Sequence, residues 1–385
     1  PSMTLLDDLK ALIAKYDAAP APVDPAPVDT APVDPVPVEP APVDTSPADP
    51  VPAPAIIGGK VAVDGQDLLA KLASAVDGDT IGLADGGEFG ALTISNIRKQ
   101  VTIEGSAHFD ALKIKSCSGL TFRSFLVHPT TQPIIDPKVK GFNITIDRNC
   151  SDLVFDDVQM QGRIDAQDWV NWTFQDWTDW RMGALWSEAP RVTVTGCRAI
   201  GVQMGYMMAG KENQILNSVV YGFSDDGARL CEDNSSAIGN IITDRVKINE
   251  DHPDGIQVFK TSGLLSGLTI TGNTIRERTQ NINPALRTHL QGICGHNGPY
   301  AGVNVTGNTV ETTSTLGVSF NNVDGLLIDG NNCTHTDKVW GKYPSIRVTN
   351  SPNWTVTNNV AHTFILPSGT WIMKPAPGNS CPVYA

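Results

Sequence analysis

The strongest constraint on this chain is a short pattern that keeps returning: apolar side chains alternating with polar ones, closed by Gly, Asn, Ser or Asp. It reads V-T-I-E-G ending at Gly105, L-T-F-R-S at Ser124, L-V-F-D-D at Asp157 and V-T-V-T-G at Gly196. It continues as Q-I-L-N at Asn217, S-A-I-G at Gly239, L-T-I-T-G at Gly272, V-N-V-T-G at Gly307, L-L-I-D-G at Gly330 and W-T-V-T-N at Asn358. Alternation marks strands, and the closing residues are turn formers. The shortest spacing is 19 residues, Gly105 to Ser124, and the longest is 39, Asp157 to Gly196. A steady minimum with irregular excess is the signature of uniform coils carrying inserted loops, which predicts an all-β solenoid: a parallel β-helix of about ten coils.

A second ladder runs in phase with the first. It reads M-G-A-L-W at Gly183, M-G-Y-M-M at Gly205, D-G-A-R-L at Gly227, D-G-I-Q-V at Gly255, Q-G-I-C-G at Gly292, L-G-V-S-F at Gly317 and P-S-I-R-V at Ser345. One residue beyond the aligned position stand Ala184, Tyr206, Ala228, Ile256, Ile293, Val318 and Ile346, an apolar column that predicts the interior. The next column, Leu185, Met207, Arg229, Gln257, Cys294, Ser319 and Arg347, is then expected to face outward.

Two rungs of this ladder carry unusual charge. Residues 224–232 read S-D-D-G-A-R-L-C-E and residues 252–260 read H-P-D-G-I-Q-V-F-K. Aligning Gly227 with Gly255 sets Asp226 over Asp254, Arg229 over Gln257 and Glu232 over Lys260. On adjacent rungs the two aspartates would lie ~4.8 Å apart. Like-charge repulsion should then raise one pKa, as in a catalytic acid/base pair. Asp-Gly is also a common turn, but Met182, Met204, Leu316 and Pro344 fill the same column elsewhere, so the turn does not demand Asp.

Glu232 over Lys260 reads first as a cross-rung ion pair. Glu232 and Asp251 are the next carboxylates should one of the pair be missing. Insertions at 240–252 and 276–300 bring His252, Arg276, Arg278, Arg287 and His289 toward the same rungs. Arg229, Gln257, Lys260, Arg287, His252 and His289 are candidates to hold substrate oxygens or tune the pair. A further insertion, 165–186, carries Trp169, Trp172, Trp177, Trp180 and Trp186. Two readings stand for it: stacking platforms for sugar rings, with Trp177 and Trp180 foremost, or the packing of the loop itself.

The flanks differ from the coils. Residues 4–16 place Leu5, Leu9, Leu12, Ile13 and Tyr16 at helical spacing, within a short attachment segment over 1–17. Residues 18–55 repeat A-P-V-D/E-P, an extended polyproline linker that could span roughly 120 Å. The β-helix domain is expected over 56–361, opened by an amphipathic capping helix from Asp67 to Val76, with a C-terminal cap over 362–385. Pro1-Ser2 ahead of Met3 reads as the remnant of a cleaved tag.

Formal charge of −13 argues against nucleic acid or an anionic membrane as main partner. No apolar run reaches the roughly 18 residues of a membrane span, and no signal peptide is read. Seven cysteines without a C-x-x-C pair predict buried thiols, not a disulfide frame or zinc site. No cofactor and no metal are expected.

With these ladders, the chain resembles the right-handed, single-stranded parallel β-helix proteins of the pectate-lyase-like superfamily. More narrowly it resembles bacteriophage tailspikes, through the helix followed by G-D-T-I and the arm-plus-spacer arrangement. That resemblance implies a homotrimer, made in the cytoplasm of a bacterial host and carried on a virion tail, its N-terminal arm held by a tail component. It also implies cleavage of a bacterial capsular, exo- or lipopolysaccharide by carboxylates. H-P-D-G-I-Q is similar to the N-T-D-G-I element of polygalacturonases, which implies a catalytic role for Asp254. Their next element, G-D-D, is replaced here by L-Q-G-I at Gln291, and G-H-N at 295–297 stands near their G-H-G. The mechanism expected is hydrolysis by Asp226 and Asp254 as acid and base or nucleophile. The alternatives are a lyase with His252 or His289 as base and Arg229 or Arg287 on a uronate, and a glycan-binding fibre without chemistry.

Because 18–55 cannot bury a core, deleting residues 1–55 should leave the melting temperature of the body nearly unchanged. Differential scanning calorimetry of the truncated and full chains tests this, and a large drop would show that the arm packs on the body.

Overall fold

The computed structural model of the protein describes residues 60–133, 141–260, 262–337, 344–367, 371–372 and 379–380. The helix expected over 4–16 and the linker over 18–55 lie outside these residues. Strands stack into three sheets of 13, 9 and 12 members. The chain visits the sheets in turn, so each strand pairs in parallel with strands one coil earlier and one coil later. This is the single-stranded right-handed parallel β-helix that the repeat predicts.

The first ladder is the core of the 13-stranded sheet. Ile103, Phe122, Phe155, Val194, Ile215, Ala237, Ile270, Val305, Ile328 and Val356 lie one above the next in register, and all are buried. Phe122 and Phe155 stack with ring centroids 4.9 Å apart. The residue that closes each repeat has a physical job. Gly196, Gly239, Gly272, Gly307 and Gly330, with Asp157, Asn217 and Asn358, all take positive φ. Only glycine, asparagine and aspartate visit that left-handed region readily.

One residue further on, the chain hides a second device. Asn240, Asn273, Asn308, Asn331, Asn359 and Asn379 are buried at the corner that follows this sheet. Asn273 is typical. Its backbone N–H and its side-chain amide both donate to Asn308 Oδ1 at 2.9 Å, and the amide also donates to the Ala237 carbonyl at 2.9 Å. Its own Oδ1 accepts from Asn240. Cys197 and Ser218 extend the column toward the N-terminus with weaker acceptors.

A ten-residue helix, Gly65–Ser74, closes the N-terminal end, two residues earlier than the spacing suggests. Asp64 caps it by accepting from Asp67 N–H at 2.8 Å, and Leu68 and Leu72 are fully buried in the core. At the other end the coil outlasts the expected limit of 361. Thr363–Ile365 still pairs in parallel with Ser345–Thr349, and Trp371–Ile372 then pairs antiparallel to it.

The register expected for the 12-stranded sheet holds from Tyr206 to Val348. It slips by one at the preceding rung. Leu185 pairs with Tyr206 and Trp186 with Met207, so Leu185 is fully buried in the interior and Trp186 takes the outward place. The expectation that Leu185 faces outward is therefore corrected.

The tryptophans of the long insertion settle onto the nine-stranded sheet. Trp169, Trp172 and Trp177 form a buried cluster with Ile200, Val246, Ile248, Ile282 and Leu286. Gly222 makes room for it: at φ +69 it carries no Cβ, and one would lie 2.5 Å from the Trp169 ring. Packing, not sugar stacking, explains Trp177, which is 2% exposed. Because Val246, Ile248, Ile282 and Leu286 come from the other two insertions, the cluster anchors all three loops together. The six described cysteines are buried and outside any disulfide. Among the described residues no helix is long and apolar enough to cross a membrane.

Replacing Asn273 by Leu should strand Asn240 donors and the Ala237 carbonyl in the interior. The expected loss is about 3 kcal/mol or more, since each unsatisfied buried group costs about 1–3 kcal/mol. Urea unfolding of Asn273→Leu against wild type measures it, with Asn304→Leu, exposed on the strand Tyr300–Thr306, as control.

Candidate functional site

Asp226 and Asp254 lie where the nine-stranded sheet hands the chain to the 12-stranded one. The strand Asp254–Val258 pairs with Ala228–Leu230 on one side and Gln291–Gly295 on the other. Gly227 N–H donates to the Asp254 carbonyl at 3.0 Å, while Asp254 N–H donates to Asp226 Oδ1 at 2.8 Å. The two carboxyls thus sit on consecutive rungs, each 1% exposed.

Their partners differ. Asp226 Oδ2 accepts from Arg229 Nε, and Arg229 also reaches Asp225 at 3.7 Å, so both Asp226 oxygens are engaged. Asp254 Oδ2 accepts from Gln257 Nε2 at 2.8 Å and the Cys294 thiol also bonds the carboxyl, while Oδ1 is buried without a partner of its own. Burial holds the Asp254 carboxyl well above the usual carboxylate range, with the neighbouring Asp226 charge adding to it. Asp226 is raised to about 6: burial lifts it, the Arg229 guanidinium draws it back, and Asp225 lifts it again. The sequence argument expected like-charge repulsion to dominate; desolvation comes first instead.

Asp254 opens onto a cavity of ≈ 260 Å³ lined also by His252, Gln257, Gln291, His296 and Asn297. It adjoins a second of ≈ 420 Å³, sharing His252 and Gln291, with Asp251, His289, Lys247 and Thr313 on its walls. His289 Nδ1 lies 2.6 Å from Thr313 Oγ1. Through His296 the first cavity also adjoins a third, ≈ 380 Å³, lined by Ser319, Asn321, Arg347, Thr349 and Asn350. Together they make a polar groove over four rungs of the 12-stranded sheet.

The structure therefore brings together Asp254, Gln257, Asp251, His252 and His289, with Asp226 and Arg229 directly behind. Other expected site residues lie apart. Glu232 is paired with Lys260 at 2.9 Å, as the ion-pair reading has it, and neither lines these three cavities. Arg287 donates to the Ile282 carbonyl at 3.2 Å and Asn281 at 2.8 Å within its own loop. Trp180 is half-buried, with the Arg163 guanidinium 5.7 Å from its ring, and Trp177 is enclosed in the loop cluster. Arg276 pairs with Glu311 at 3.1 Å and Arg278 with Asp337.

Two groups went unremarked as site residues in the sequence. His296 lines the Asp254 cavity together with His252, and its imidazole is held below its ordinary pKa by burial and then by Arg347. The G-H-N stretch beside an apolar strand was its only signal. Cys294 is fully buried next to Asp254, where burial and that carboxylate push its thiol well above the usual range. Among the described residues no group of three or more His, Cys, Asp and Glu is placed to share a metal ion.

No family model matches the sequence, and no curated protein matches it. Solved structures are similar in their coils. The A-module of the Azotobacter vinelandii mannuronan C-5 epimerase AlgE6 is 12% identical, with a TM-score of 0.49 over 82% of this chain and 81% of that one. The tailspike protein of E. coli bacteriophage HK620, in a mutant form, is 10% identical, with a TM-score of 0.42 over 79% and 64%. The catalytic unit of a GH87 α-1,3-glucanase from Streptomyces thermodiastaticus is 12% identical, with a TM-score of 0.43 over 86% and 70%. By its three stacked parallel sheets, the chain is a right-handed parallel β-helix protein.

Proposed function

We propose that the protein hydrolyses glycosidic bonds of an extended bacterial surface polysaccharide laid along this groove, with Asp254 as the general acid. The observation that carries this is a buried carboxyl, held well above the usual carboxylate range, on a residue that lines a polar cavity, with one oxygen outside any protein hydrogen bond. Such a group is suited to protonate a leaving oxygen. Asp226, engaged on both oxygens, acts from behind by its charge: it keeps the proton on Asp254. The exposed carboxylate of Asp251, on the wall of the adjoining cavity, is the candidate to activate water, and Gln257, His252 and His289 hold sugar hydroxyls. Arm, linker and coil in that order support a tailspike-like protein that works as a homotrimer on a virion tail.

One observation favours a second reading. His296 is kept neutral beside Arg347, so a base and a cation that could grip a uronate carboxylate stand together. A lyase would use this pair to abstract the proton alpha to that carboxylate. Digestion of purified capsule separates the readings. New reducing ends without a conjugated double bond mark the hydrolase; ultraviolet absorbance from an unsaturated uronide marks the lyase; neither product leaves a binding fibre.

Asp254→Asn keeps the hydrogen bond from Gln257 but cannot donate the proton, so cleavage should fall by about 10²-fold or more. Glycan binding should persist. Because the paired carboxyls titrate higher folded than unfolded, the folded state binds more protons and stability falls as pH rises from 3.8 through about 6. Asp254→Asn should therefore melt no lower than wild type at neutral pH. An active variant, or one that unfolds, counts against the assignment.

A further inference from the structure

The strand Ile241–Arg245 lies in the nine-stranded sheet, one rung above Val219–Phe223. Register places Val202, Phe223 and Arg245 in a single column. The first two belong to the hydrophobic core, so an arginine takes a position that valine and phenylalanine fill on the rungs before it. Arg245 is 1% exposed, and its Nε, Nη1 and Nη2 have no protein hydrogen-bond partner. A buried guanidinium without such bonds is a poor way to build a core, because charge is costly to remove from water unless paired and bonded.

The charge around it supplies a reason. Arg245 pairs in register with Phe223, and Val246 N–H donates to the Phe223 carbonyl at 2.7 Å, which sets the arginine one rung beyond the chain that enters the Asp225–Asp226 turn. Burial weakens its hold on its proton, to about 10, against the opposing charges of Asp225, Asp251, Glu277 and Asp226. Asp225, Asp226 and Glu277 are themselves buried. Glu277 is engaged by Leu290, Thr312 and Thr313, and the neighbouring Asp244 by Thr279 and Gln280. Arg229 faces the Asp225–Asp226 turn from the strand that follows it. Asp254 and the thiols of Cys231 and Cys294 complete the titratable groups around the turn. One cation, Arg229, is set against Asp225, Asp226 and Asp254. Arg245 is the second.

We propose that Arg245 is a positioning residue for the reaction: its buried guanidinium balances the Asp225–Asp226 turn, so that Asp226 faces Asp254 as an anion and the proton of the pair stays on Asp254. It touches no substrate. This rests on the reading of Asp226 and Asp254 as the working pair, and its test is made independent of turnover.

The test is an infrared titration of ¹³C-aspartate-labelled full-length protein, with Asp226→Asn identifying the Asp226 band. Wild type should show Asp226 ionising near the value of about 6. In Arg245→Met, which suits the apolar column, that midpoint should rise by about one pH unit or more, a tenfold change in ionisation. In Arg245→Lys it should return close to wild type. The corresponding limb of the pH–rate profile should move with it. A midpoint unmoved in a folded Arg245→Met protein overturns the proposal, whatever the assay shows. Arg245→Gln repeats the test should the Met variant not fold, and unfolding of both neutral variants while Lys folds also overturns it, leaving a purely structural arginine. If the midpoint moves but wild type cleaves no glycan, the inference about Arg245 stands and the proposed function fails.

Discussion

Everything in this molecule depends on backbone hydrogen bonds between consecutive coils. Among the described residues the coil strands find their partners one full turn of the solenoid away, while at the end Trp371–Ile372 pairs with the strand before it. The corners, where strands end, are where such an arrangement would leave buried donors and acceptors unsatisfied. The asparagine column answers that need along the C-terminal half, since one amide carries both a donor and an acceptor and passes the bond on to an identical side chain above. Registry follows from the same column. A coil slipped by one residue would lose its asparagine contact and turn its apolar face outward together.

Much of this was legible because interior side chains and turn conformations leave strict marks on sequence. The V-x-I-x-G pattern located the core column of the 13-stranded sheet, and its closing residues proved to be the ones at positive φ. The asparagine ladder lies one residue past the turn residues, where a polar side chain has the same look as an exposed loop residue. At Leu185 the glycine alignment failed by one place: Gly183, Ala184 and Leu185 are all enclosed there, so no polar residue marked which side faced out. The tryptophans were ambiguous for a physical reason. Their burial depends on Gly222 and on loops far away in sequence, which no local pattern reveals.

The candidate site was legible in part. Asp226 over Asp254 followed from counting residues between two Asp-Gly turns, and the register bears the count out. What could not be counted was depth. Both carboxyls are enclosed, so desolvation outweighs their mutual repulsion, and that depth is set by packing between coils rather than by spacing along the chain. Glu232 and Lys260 showed the same cross-rung logic, yet they form an ordinary ion pair away from the groove. Spacing identifies which groups stack; only packing tells which of them meet a cavity.

The reversed strand Trp371–Ile372 has a consequence for the fate of the molecule in a crowded cell. A parallel solenoid ends in a row of open amides and carbonyls that could template another chain, as in a growing fibril. Trp371–Ile372, running the other way, interrupts the parallel pattern at this end of the 12-stranded sheet. At the opposite end the helix Gly65–Ser74 lids the core with leucines. An architecture that could in principle lengthen without limit thus carries a different element at each described end of its coils.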